Sequence, residues 1–77
     1  MPTPTDTSRR VGETVRTALR EAGVRQADAA LALGYSDATL ERRLSGSPFD
    51  IAELEIIASL TGQTVLDIIR SAEADAA

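Results

Sequence analysis

The 77-residue chain contains no cysteine and no histidine. Without cysteine, neither a disulfide nor a thiolate metal site can staple it. Without histidine, the commonest acid–base group and metal ligand is missing. An enzyme built from what remains would need a carboxylate pair or an activated serine, and no such constellation stands out. The chain is therefore read as a non-enzyme with neither metal nor cofactor. Aromatic residues are limited to Tyr35 and Phe49, too few for the stacking platforms that bind single strands or RNA. No apolar run approaches a membrane span, and the N-terminal residues lack the apolar stretch of a signal peptide. A cytoplasmic protein with no membrane partner is expected. Lysine is absent as well, so all eight cations are arginine.

A basic surplus is also lacking. The formal net charge is −4, which taken alone argues against a polyanionic partner. Its distribution changes that reading. Residues 1–48 carry seven arginines against six acids, and residues 49–77 carry one arginine against six acids. The excess acid thus belongs to the C-terminal part, and the N-terminal part is near neutrality. A weak overall field would limit non-specific attraction to phosphate.

What is present is helical periodicity. The length allows one small domain with a marginal core, which favours a compact helical bundle or a dimer. Residues 1–8, with two prolines and three threonines and no apolar period, are expected to form a flexible arm. From Arg9 onward Val11, Val15, Ala18, Leu19 and Ala22 recur at helical spacing, and Gly23 ends this first helix. Further helices are expected from about Gln26 to Leu33 and from about Asp37 to Leu44, followed by a loop at Ser45-Gly46-Ser47-Pro48. Asp50-Ile51-Ala52-Glu53 fits a capping box. The helix it opens carries Ile51, Leu54, Ile57, Ala58 and Leu60 to Thr61, and Gly62 stops it. Thr64 and Asp67 open a fifth helix with Val65, Leu66, Ile68, Ile69 and Ala72 as its apolar positions. Residues 74–77 are expected to fray, leaving residues 9–73 as the folded domain. No strand pattern and no internal repeat is found.

The segment from Gln26 to Gly46 says most. Gly34 falls where the chain must reverse between two short helices, and a left-handed residue costs least when it is glycine. Ser36 is a natural N-cap for the helix that follows. Ala30 is small, as a close helix crossing requires, and Leu33, Tyr35 and Leu40 supply apolar contacts beneath the turn. The second helix then presents a mostly polar surface, thin enough to enter the DNA major groove. This is the build of a helix-turn-helix with its recognition helix second.

The pattern resembles the phage repressor and Cro family of helix-turn-helix proteins, the xenobiotic-response-element type, over about residues 9–71. Gln26, Ala30, Gly34 and Leu40 match in order, and so do Gly46, Pro48, the Leu54…Ile57-Ala58 run and Gly62. The resemblance implies an all-α, lambda-repressor-like fold: a compact five-helix bundle with the helix-turn-helix as helices two and three. Three departures stand out. Many family members bury an arginine late in helix one against a glutamate at the end of helix three. Here those positions are Leu19 and Leu44, an apolar pair that can replace a buried ion pair at little cost. Family members usually carry a large apolar residue at the place of Ala29 and a polar one at Leu31, so helix two is either rotated or leaves Leu31 exposed for a partner. Asp37 and Glu41 put two carboxylates on the recognition helix. Asp37 suits the positive N-terminus of a helix, and either acid could accept from a cytosine amino group.

The function implied is a sequence-specific DNA-binding transcriptional regulator, a Cro-like or immunity-type repressor of a phage or mobile element, acting on a near-palindromic double-stranded operator. Arg42 is the leading base reader, since arginine can bond guanine O6 and N7 together. Asp37, Ala38, Thr39 and Glu41 are the other candidates for base contact. Arg25, Gln26, Ser36, Arg43, Ser45 and Ser47 are candidates for phosphate contact, with Gln26 backed by the free amides of its helix. Arg9 and Arg10 could follow a groove from the arm. Surplus aliphatics on helix five suggest a two-fold homodimer with Leu66 or Ile69 at its centre. The competing reading is a protein-interaction module, such as an antitoxin or antirepressor, that keeps the helix-turn-helix fold. Net acidity, Leu31 and the acids on helix three favour it.

Overall fold

The computed structural model describes residues 4–74. Among them the chain forms five α-helices and no strand: α1 (Pro4–Glu21), α2 (Gln26–Leu33), α3 (Asp37–Leu44), α4 (Ile51–Thr61) and α5 (Val65–Ala74). The chain is an all-α five-helix bundle. Helix α1 packs against α3, α4 and α5, while α2 packs against α3 and α4.

The start of α1 corrects the sequence reading. The helix begins at Pro4 rather than Arg9, so Arg9 and Arg10 lie inside it and not on a flexible arm. Proline is accepted at the first helical position because its missing N–H would have no helical partner there. Asp6 in the first turn suits the positive helix end. It also lies 3.9 Å from Arg9, and the Arg10 guanidinium donates to the Thr7 hydroxyl at 3.3 Å. Residues 1–3 of the expected arm and 75–77 of the expected tail lie outside the described residues.

The chain reversals follow the sequence closely. Gly34 sits at φ 77, and the Tyr35 N–H donates back to the Ala30 carbonyl at 2.9 Å. This is the closed C-terminal turn that left-handed glycine makes available. α1 and α4 end with the same bond, from Val24 to Leu19 and from Gln63 to Ala58. At α4 the Asp50 carboxylate accepts from the Glu53 N–H at 2.7 Å, and Glu53 accepts from the Asp50 N–H at 2.8 Å. Thr64 and Asp67 exchange the equivalent pair at α5.

One core joins all five helices: Val11, Val15, Leu19, Ala29, Ala30, Leu40, Leu44, Leu54, Ile57, Ala58, Ile68 and Ala72. Leu19 and Leu44 are both buried in it. Ala29 and Ala30 are buried while Leu31 is 80% exposed, so α2 keeps its expected face and Leu31 is the residue left outside. Three expected apolar positions fall outside the core, Ala22, the 61% exposed Ile51 and Leu66. On α5, Ile68 is fully buried and Val65 and Ile69 pack against the core, leaving Leu66 alone outside at 55% exposure. The surplus on helix five is thus one side chain and not a second face.

A contact that no periodicity announces fixes α1 against α3. Gly12 is buried in the middle of α1. A Cβ there would overlap the Leu44 carbonyl oxygen and lie 2.9 Å from the Leu44 carbonyl carbon and 3.3 Å from the Arg43 carbonyl oxygen. The two helices therefore meet main chain to main chain at the C-terminus of α3.

Candidate functional site

α2 and α3 are joined by the three residues Gly34, Tyr35 and Ser36. Ser36 caps α3: its hydroxyl accepts from the Thr39 N–H at 3.2 Å and lies 2.9 Å from the Thr39 hydroxyl. Leu40 and Leu44 mark the core side of α3. Arg42 is two residues from each, and at 3.6 residues per turn that places it on the opposite side. Its side chain is exposed, with no hydrogen bond or ion pair among the described residues. Ala38 and Ser45 are exposed beside it, as is Asp37 at the N-terminal end of α3.

The two edges of α3 are engaged with the rest of the bundle. On the α1 edge, Arg16 donates to the Glu41 carboxylate at 3.0 Å. On the α4 edge, the Arg43 guanidinium donates to Glu53 at 2.9 Å and to the Pro48 carbonyl at 3.0 Å. It also stands over the Tyr35 ring, 5.1 Å from its centroid, a cation–π placement. Arg43 is thus a clasp between the turn, α3 and α4. Glu53, already a capping-box partner, ties that clasp to the start of α4.

The expected base-contacting and phosphate-contacting residues separate accordingly. Arg42, Ala38 and Asp37 are outward and uncommitted. Thr39 and Ser36 are spent largely on the cap. Glu41 and Arg43 are held sideways in cross-helix ion pairs. Arg25 precedes α2 and pairs with Asp28 at 3.2 Å in an exposed setting, where such a pair is weak and easily exchanged. Gln26 is the first residue of α2, exposed, and no side chain caps that helix end. Its first-turn N–H groups therefore face solvent at the positive pole of the helix. Ser45 closes α3 and Ser47 is half-buried in the following loop. Leu66 is exposed, whereas Ile69 is half-buried beside a surface groove lined by Val11, Phe49, Ile51 and Leu54.

The positioning roles of Gly12 and Arg16, and the second role of Glu53 as partner of Arg43, have no local signature in the sequence. A glycine inside a helix is tolerated at a cost of about 1 kcal/mol relative to alanine, and that cost does not by itself say which neighbour approaches. Arg16 and Glu41 are separated by 25 residues, and no local spacing rule pairs them.

Among the described residues, no helix is long and apolar enough to cross a membrane. No protein-family model and no curated protein sequence matches the chain.

Proposed function

We propose that the chain is a sequence-specific DNA-binding transcriptional regulator that lays α3 in the major groove of a double-stranded operator. One observation carries the reading. α3 is a capped helix whose exposed side holds Ala38 and an uncommitted Arg42, and α2, which packs against it, begins with an uncapped N-terminus at Arg25 and Gln26. An arginine without an internal partner is free to bond guanine O6 and N7 together. Open amides at a helix N-terminus suit a phosphate. The resemblance to the phage repressor and Cro family points the same way, toward a Cro-like or immunity-type repressor of a phage or mobile element working in the cytoplasm. In this reading α2-turn-α3 is the helix-turn-helix. A two-fold homodimer on adjacent half-sites would present two copies of α3 about 34 Å apart, one turn of DNA, and Leu66 is the exposed aliphatic of α5 that its seam could cover.

Selection from a random duplex pool tests this. The expected result is an enriched, near-palindromic site, with binding that weakens steeply as salt rises. Arg42→Ala should erase preference at one base pair, whereas Arg25→Ala should weaken binding to all sequences alike. A pool that enriches nothing refutes the proposal.

One observation favours a second reading. Leu31 is 80% exposed on α2, and Asp28 and Asp37 stand exposed on the same two helices. A protein-interaction module, an antitoxin or antirepressor on the same fold, would use such a surface. It predicts tight protein association that Leu31→Glu abolishes, together with no sequence enrichment from DNA.

A further inference from the structure

The Arg16–Glu41 pair crosses from α1 to the edge of the exposed helix, and neither the motif nor the resemblance assigns it a role. Arg16 is the more enclosed partner, with its side chain 25% exposed against 52% for Glu41. Glu41 directly precedes Arg42 in sequence. One turn of freedom in its side chain would bring its carboxylate toward the face that Arg42 dominates. A free carboxylate there would repel phosphate, and it could accept from a cytosine amino group. In the structure Arg16 holds it on the α1 side instead, at 3.0 Å.

We propose that Arg16 is a positioning residue for DNA recognition: it confines the Glu41 carboxylate to the α1 edge, so that α3 reads sequence through Arg42 and not through Glu41. The inference rests on the DNA-binding reading. It gives the chain a way to carry an acid on its recognition helix at small cost in affinity. Of the four arginines on or beside the helix pair, Arg16, Arg25 and Arg43 are each paired with a carboxylate, and Arg42 is the one left unpaired among the described residues.

The test uses the full chain and four forms: wild type, Arg16→Met, Glu41→Gln and the double variant. Methionine keeps an unbranched apolar stem where the arginine stem lies. Each form is put through duplex selection and then titrated against the wild-type site. Arg16→Met should bind about fivefold more weakly, the scale of one unscreened charge near phosphates at moderate salt. Its selected sites should gain cytosine at one position. Adding Glu41→Gln should return both affinity and base preference to wild-type values, although the ion pair is still absent. That rescue separates positioning from a folding defect, which a second substitution would not repair. Identical selected sites for wild type and Arg16→Met overturn the inference while leaving the DNA-binding reading intact. Weakening that persists in the double variant also overturns it; an unchanged melting temperature for Arg16→Met then assigns Arg16 a direct phosphate contact, and a lowered one assigns it a role in stability. A wild-type chain that enriches no sequence overturns the DNA-binding reading, and this inference falls with it.

Discussion

Replacing Gly12 by alanine sets two well-defined effects against each other. On helix propensity alone the change stabilises, because alanine is favoured over glycine in a helix interior by about 1 kcal/mol. The packing of α1 on α3 opposes it. The new methyl would overlap the Leu44 carbonyl oxygen and stand 2.9 Å from the carbonyl carbon. Both atoms are main chain at the end of a helix, so no side chain can swing aside. The helices would have to part by several tenths of an ångström or more, disturbing the burial of Leu40 and Leu44 on the same side of α3. Overpacking of this kind costs about 1–3 kcal/mol or more, and rigid neighbours put this site at the upper end. A net loss of about 2 kcal/mol is expected, or a Tm lower by about 8–16 °C for a domain of this size. Thermal and urea unfolding followed by circular dichroism at 222 nm would measure it, with Thr17→Ala on the exposed face of α1 as the control. If Gly12→Ala melts at or above the wild-type temperature, propensity has won. The close approach of α1 to α3 would then not be a constraint on the fold.

Leu44→Ala removes a fully buried side chain at the same crossing and should cost about 2–5 kcal/mol. With a total stability of about 4–12 kcal/mol expected from a per-residue scale, the change should remove a large share of it, visible as a large fall in urea midpoint. Glu53→Ala removes a capping-box carboxylate and the partner of Arg43 together. Its side chain is 15% exposed, so the loss should be about 1–2 kcal/mol, above that of an ordinary surface pair. A double-mutant cycle with Arg43→Ala would divide it between cap and ion pair, and a coupling energy near zero would refute the clasp.

Those features differ in how far the sequence announces them. Gly34, Ser36, the Asp50–Glu53 box and the Thr64–Asp67 pair lie within a few residues of their partners, so chain order alone reveals them. The core faces of α1 and α4 follow from helical period, which also places Leu19 and Leu44 on the buried sides of α1 and α3. The start of α1 was hidden because Pro4 and the threonines after it read as irregular chain, although Asp6, Thr7, Arg9 and Arg10 support a first helical turn. On α5 the aliphatics gave no indication of how much each would be covered. Ile69 is drawn partly inward and only Leu66 is left out. The state of the charges on α3 was the least legible part. Arg42 and Arg43 are neighbours of the same type, yet one is free and the other is clasped. The difference comes from Tyr35, Pro48 and Glu53, which only the fold brings together.

The meeting of Gly12 with the end of α3 bears on how this surface can change. Where a helix is located by its backbone and by two inward leucines, the side chains pointing away from it carry none of the duty of holding it in place. Asp37, Ala38, Arg42 and Ser45 can then be exchanged with little penalty to the fold, in the way that letters are changed in a fixed frame. The outer surface of α3 can thus vary while the architecture stays constant, and the residue that permits it is one with no side chain at all.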